Sequence, residues 1–159
     1  MKSASLNEVK KELQLLQPAE LVDRCLALAK YKKDNKEYLA YLLFQSHDKF
    51  VFLNEVKGEI DTHFSELSAG TNLYHVKKSL RKLLRTISKF SKYLADKALS
   101  ADLYIYFCKK VKNSGIPFRN SQLLVNMYEQ QLKKIRTLIE SLHEDLQNDY
   151  LNDLEKILI

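Results

Sequence analysis

Glycine and proline are scarce in this chain, with three Gly and two Pro in 159 residues. A fold built of many tight turns needs more backbone breakers than that, so the scarcity excludes a turn-rich all-β protein and favours long helices. Cysteine is equally sparse. Cys25 and Cys108 lie far apart in apolar surroundings, which excludes a paired-cysteine metal knuckle or redox motif and predicts two reduced, buried thiols of a cytoplasmic protein. No apolar run approaches the roughly 18 residues of a membrane span. The segment Met1–Ser5 runs straight into a polar amphipathic stretch without the apolar core of a signal peptide, so no membrane partner and a cytoplasmic location are expected. What is present is ordinary for a globular domain: 45% hydrophobic and 29% charged residues in 18.6 kDa, enough for one core. No linker or composition shift interrupts it, so a single all-helical domain over 1–159 is expected.

Apolar residues recur at helical spacing nearly throughout, and strict alternation is absent. Ser5 with Glu8 reads as a capping box before a stripe of Leu6, Val9, Leu13 and Leu16. Pro18 suits the first turn of a second helix with Leu21, Val22, Cys25, Leu26 and Ala29 inward. Asp34 with Glu37 predicts the start of a third helix through Tyr38, Leu39, Leu42 and Leu43. Asp48 predicts the cap of a fourth, with Phe52, Leu53, Val56, Ile60, Phe64 and Leu67 inward and Gly58 marking close helix packing. Ala69-Gly70-Thr71-Asn72 reads as a turn before a fifth helix at about 73–93. A sixth ends at Asn113 with Gly115 as a left-handed cap. Ile116–Asn120 reads as a loop, because Pro117 disfavours helix before it. Ser121 is the expected cap of a long seventh helix with Leu124, Met127, Tyr128, Ile135, Leu138 and Leu142 inward, and an eighth carries Tyr150, Leu151, Leu154 and Leu158. The expected fold is therefore all-α, about eight antiparallel helices. Short connections and pairs of roughly 35 residues favour stacked helix pairs in a HEAT-like two-layer superhelix over an irregular bundle.

The stretch from Glu12 to Phe44, with its Pro18-Ala19-Glu20-Leu21-Val22-Asp23-Arg24-Cys25 core, resembles the opening of a family of short, all-helical bacterial proteins of unknown function. A later segment, Asp102 to Lys110, is similar to another helix of that family. The resemblance implies a helical fold and carries over no functional residue.

Chemistry-bearing motifs are few. Glu59 and His63 stand four apart, and Glu140 and His143 three apart, one half of a carboxylate-bridged di-metal element whose second half is missing. His47, His63, His75 and His143 therefore read as ordinary surface or hydrogen-bonded histidines, and no metal or cofactor is expected. Cys108 has Lys109 and Lys110 beside it, but Tyr104, Ile105 and Phe107 point to burial rather than reactivity. Tyr104 and Tyr106 stand about 200° apart on one helix, so one of them must reach an edge. There is no Gly-rich phosphate loop and no Gly-x-Ser-x-Gly elbow. The chain reads as a non-enzyme.

One feature is arranged by sign. Every charged residue between Leu67 and Ala95 is positive: Lys77, Lys78, Arg81, Lys82, Arg85, Lys89 and Lys92. The chain's net charge is +6, so everything outside this stretch sums to −1. On a helical projection the cations occupy an arc of about 140°, apart from an apolar arc of about 120°. This basic face is the expected binding surface. Five Arg against 21 Lys, with no aromatics interleaved for stacking, weigh against specific nucleic-acid readout. The expectation is a helical scaffold or protein-interaction domain for an acidic protein surface, with non-specific RNA or DNA binding through the same face as the alternative. Residues 137–159 carry six acids against Lys156 alone, so an acidic last helix packed on the fifth would cancel this field.

Overall fold

The computed structural model describes residues 4–67 and 72–159. These form eight α-helices and no strand: α1 (Leu6–Leu15), α2 (Pro18–Tyr31), α3 (Lys33–Phe44), α4 (Lys49–Glu66), α5 (Leu73–Leu94), α6 (Lys97–Asn113), α7 (Gln122–Glu140) and α8 (Glu144–Glu155). The all-α class and the helix number agree with the sequence expectation. None of these helices is long and apolar enough to cross a membrane. The chain divides into two compact units, the first ending at His47 and the second beginning at Asp48.

In the first unit the Ser5 box forms as expected: the Ser5 hydroxyl accepts from the Glu8 N–H at 3.3 Å, and the Glu8 carboxylate accepts from the Ser5 N–H at 2.7 Å. Pro18 opens α2, and the Glu20 carboxylate reaches back to the Gln17 N–H at 2.9 Å. The third helix starts one residue before Asp34. Lys32 is its cap position, so Asp34 lies in the first turn, where a carboxylate meets the positive end of the helix dipole. The two inward stripes expected for α1 and α2 are not buried: neither helix has a buried residue, and Cys25 is exposed. Their apolar spacing is helical, but the unit is three short helices with only α2 and α3 packed extensively on each other, too little mass to enclose a core. Among the described residues before Asp48, Tyr41, stacked on Tyr38 at 6.3 Å, is the single buried hydrophobic one.

The second unit holds the core. Asp48 caps α4 as expected, accepting from the Phe50 and Val51 N–H groups at 3.0 Å each. Phe52, Leu53, Val56 and Ile60 are buried, while Phe64 and Leu67 are half-buried. Gly58 does not mark close packing; a β-carbon there would meet nothing within 4 Å. Of the turn expected at residues 69–72, the first three lie outside the described residues; Asn72 caps α5, its side chain accepting from the Tyr74 N–H at 2.8 Å. Val76, Leu80, Leu83, Ile87 and Leu94 form the buried side of α5. Its end is turned by Ala95, a non-glycine residue at φ 48°.

Asp96 caps α6 through the Ala98 and Leu99 N–H groups at 3.0 and 3.1 Å. This helix is apolar on nearly every side, and it is buried accordingly: Leu99, Ala101, Leu103, Tyr104, Ile105, Phe107, Cys108 and Val111 are all enclosed. It packs on α4, α5, α7 and α8, while α4 packs on α5 and α7 on α8. Contacts thus run between helices one or two apart along the chain, consistent with stacked helices. Gly115, at φ 70°, follows α6 in the left-handed region as expected. Within the expected loop, Phe118–Asn120 form one 3-10 turn. Ser121 occupies the cap position of α7, but its side chain makes no capping hydrogen bond. On α7 the buried positions also include Leu132 and Ile139, with Leu138 only half-buried. Beyond α8, Ile157 is buried and Leu158 is not.

Candidate interaction surface on the fifth helix

An amphipathic helix that buries one side in a core must present the other. On α5 the presented side is the cationic one. Lys78, Arg81, Lys82, Arg85 and Lys92 are exposed, and Lys77 and Lys89 are half-buried. Lys77, Lys78, Arg81 and Arg85 line one open concavity of about 540 Å³ together with Tyr74. Lys82 and Lys92 lie outside that lining, and Lys89 turns toward α4, where its charge acts on Glu59 and its ammonium sits 5.1 Å from the Phe90 ring. The Glu59 carboxyl is nevertheless raised, because burial outweighs the attraction of Lys89.

Tyr74 corrects the expectation that no aromatic accompanies the cations. The residue is 67% exposed, and it precedes Lys77 and Lys78 by three and four residues, the spacing that puts side chains on one helix face. That spacing was readable in the sequence.

The electrostatics of the α5 face differ from those of the lysines on α4 and α6. Three lysines outside α5 are matched by carboxylates from other helices. Lys110 on α6 meets Asp61 of α4 at 2.6 Å, Lys109 meets Asp153 of α8 at 3.4 Å, and Lys57 of α4 meets Asp102 of α6 at 2.7 Å. Lys112 donates to the Lys156 and Leu158 carbonyls at 3.0 Å each. The hydrogen bond from Lys110, and secondarily the one from the Tyr106 hydroxyl at 2.8 Å, hold the Asp61 carboxyl below the usual range despite partial desolvation. Among the described residues no carboxylate forms an ion pair with the four cations of the concavity. The acidic helix α8 packs on α6 and α7, and its Asp153 is occupied by Lys109 and Lys156. Lys109 and Lys110 of α6 are thus engaged by acids of other helices, whereas the four cations of the α5 concavity are not.

A second, smaller concavity of about 290 Å³ lies between α5 and α7 and shares Arg81 with the first. Its remaining lining is uncharged: Leu84, Leu123, Asn126, Met127, Gln130 and Gln131. Leu123 is exposed there, and Gln131 is tied to the Met127 carbonyl at 3.1 Å. Sequence periodicity placed these α7 residues on a helix but could not pair that helix with α5.

The other sequence candidates are dispersed. His63 shares a 2.7 Å hydrogen bond with Ser79, His143 caps α8, and His75 lies edge-on to Tyr74 at 5.6 Å. Among the described residues no group of three or more His, Cys, Asp or Glu converges as metal ligands would. Cys108 is fully buried, and desolvation pushes its thiol up to about 12, which removes its nucleophilic thiolate at neutral pH. Tyr104 is buried and Tyr106 reaches the edge, its hydroxyl on Asp61, the division the 200° separation required. Compared with models of protein families, with curated proteins and with solved structures, the chain matches none.

Proposed function

We propose that this chain is a non-enzymatic helical interaction domain that docks an acidic protein segment along α5, in a cytoplasmic setting where its free thiols stay reduced. One observation carries the reading. Arg81 joins a concavity holding four cations unpaired by carboxylates to an uncharged groove between α5 and α7 lined by Leu123, Met127 and side-chain amides. A segment with acidic residues and an apolar anchor would satisfy both halves at once: charge sets encounter rate and orientation, and the anchor supplies buried area. A nucleic-acid strand would gain from cations on both walls, and the α7 wall offers none in that groove.

The test is fluorescence anisotropy with two labelled acidic helical peptides, with and without a central Leu, titrated with salt. Binding at low salt, strengthened by the Leu and lost in the Arg81→Glu/Lys82→Glu/Arg85→Glu variant, is the expected result. Peptide binding that the triple variant leaves unchanged rejects the surface. The second reading, non-specific RNA or DNA binding, is favoured by exposed Tyr74 among the cations, an arrangement on which a base can stack. Labelled single- and double-stranded oligonucleotides in the same titration decide it: a steep fall of affinity with salt for the oligonucleotides, and none bound for the peptides, makes nucleic acid the ligand.

A further inference from the structure

The first unit inverts the usual relation between apolar residues and burial. On α2 and α3 Leu28 is 62% exposed, Phe44 71% and Leu42 46%, while among the described residues of the unit only Tyr41 is buried. Contiguous apolar surface on so small a unit marks an association site. Units of this size are usually completed by a disulfide, a metal or oligomerisation. Cys25 is a free, exposed thiol in this unit, and oligomerisation is the completion that needs no further component.

We infer that the α2–α3 hairpin pairs with the same hairpin of a second copy of this chain. Two open grooves along the α2–α3 seam are not equivalent. One, of about 370 Å³, has Lys30 and Lys36 in its lining. The other, of about 280 Å³, contains Cys25, Leu28, Tyr38 and Leu42 and no charged residue. Its one amide, Asn35, already donates to the Leu28 carbonyl at 2.9 Å. A two-fold axis brings each residue near its own counterpart, so a face with lysines opposes itself and an uncharged face does not. The hairpin, residues 18–44, carries five cations and four acids, so two hairpins do not repel as wholes, whereas the all-positive face of α5 would. The uncharged groove is therefore the self-complementary one: two hairpins closed across it make an antiparallel four-helix contact with Leu28 and Leu42 at its centre.

This inference is independent of the α5 reading and is tested separately. The full chain is run by sedimentation velocity over a broad concentration series, beside Leu28→Glu/Leu42→Glu and, as a charge control, Lys82→Glu. Both hairpin positions are solvent-exposed in the single chain, and far-UV circular dichroism confirms that the double variant is folded. The expected result is a dimer at high concentration for the natural chain and for Lys82→Glu, with the double variant monomeric throughout. In parallel, modification of the Cys25 thiol should slow several-fold as concentration rises through the dimerisation range, while buried Cys108 stays slow. A monomer at every concentration, a dimer that survives the double substitution, or a dimer that leaves Cys25 fully reactive overturns the proposal.

Discussion

Arg81 stands at the crowded point of the α5 face, and replacing it with Glu should stabilise the protein. Lys77 lies four residues before it, Lys78 three before and Arg85 four after, so one guanidinium opposes three like charges on the same helix face. Each like-charge pair at this spacing costs about 0.2–0.5 kcal/mol, and each opposite pair returns a similar amount. Arg81→Glu reverses all three. A simple sum gives roughly 1–3 kcal/mol; one carboxylate cannot face three cations at once, so the expected gain is about 1–2 kcal/mol at low ionic strength. The pair with Arg85 contributes most, because an acid N-terminal to its cation at i, i+4 is the better orientation. Urea denaturation followed by circular dichroism measures the gain, which should shrink markedly between low salt and about 1 M, where the Debye length falls to about 3 Å. The same variant should lose acidic-peptide binding, so that stability and binding move in opposite directions. Destabilisation at low salt would refute the reasoning: it would mean that Arg81 already has a favourable partner and that the face is not self-repelling.

Three further substitutions check the fold that presents this face. Gly58→Ala should stabilise by about 1 kcal/mol in the same denaturation assay, because the site is inside α4 and a β-carbon meets nothing within 4 Å. Tyr128→Phe should cost about 1–2 kcal/mol, since the buried hydroxyl donates to the Ile157 carbonyl at 2.7 Å, a bond that Phe cannot make. Asp61→Asn should flatten the acid side of the pH–stability profile. The Asp61 carboxyl is lowered in the native state, so its contribution is complete above the unfolded value near ~3.9 and is lost as pH falls through the lowered native value. As that side chain is nearly half exposed, the difference from the natural chain should stay below about 1 kcal/mol.

Helix number, type and most boundaries were legible because helical spacing and caps are local properties. Ser5 with Glu8, Asp48 and Gly115 each act where their chemistry places them. The failures share a cause: each required knowledge of what packs opposite. The stripes of α1 and α2 have the spacing of buried faces, yet no second layer in their unit encloses them. Gly58 suggested a close helix crossing, and the space beside it is open. The site divides the same way. Clustering of Lys77, Lys78, Arg81 and Arg85 follows from one helix and was readable, whereas the loss of Lys109 and Lys110 to Asp153 and Asp61 depends on long-range pairing. Periodicity along one chain segment carries no information about the charge on its neighbour.

The two proposals, taken together, make a prediction that neither makes alone. A dimer closed through the α2–α3 hairpins would carry two α5 faces, so a ligand with two acidic segments on a sufficient flexible linker would meet the second face as an intramolecular event. Such linkage raises apparent affinity by up to about 10²–10⁴-fold with no new contact. A tandem peptide should therefore bind the natural chain much more tightly than its single-segment half, at protein concentrations where the dimer is populated. In Leu28→Glu/Leu42→Glu the single-segment affinity should be unchanged and the tandem gain should collapse to the statistical factor of about two expected for two equivalent segments. In Arg81→Glu/Lys82→Glu/Arg85→Glu both peptides should lose binding while the dimer persists. A tandem gain that survives the hairpin variant would place the second acidic segment on the same chain and remove the dimer from the account of binding, leaving the α5 face to be judged on the single peptide alone.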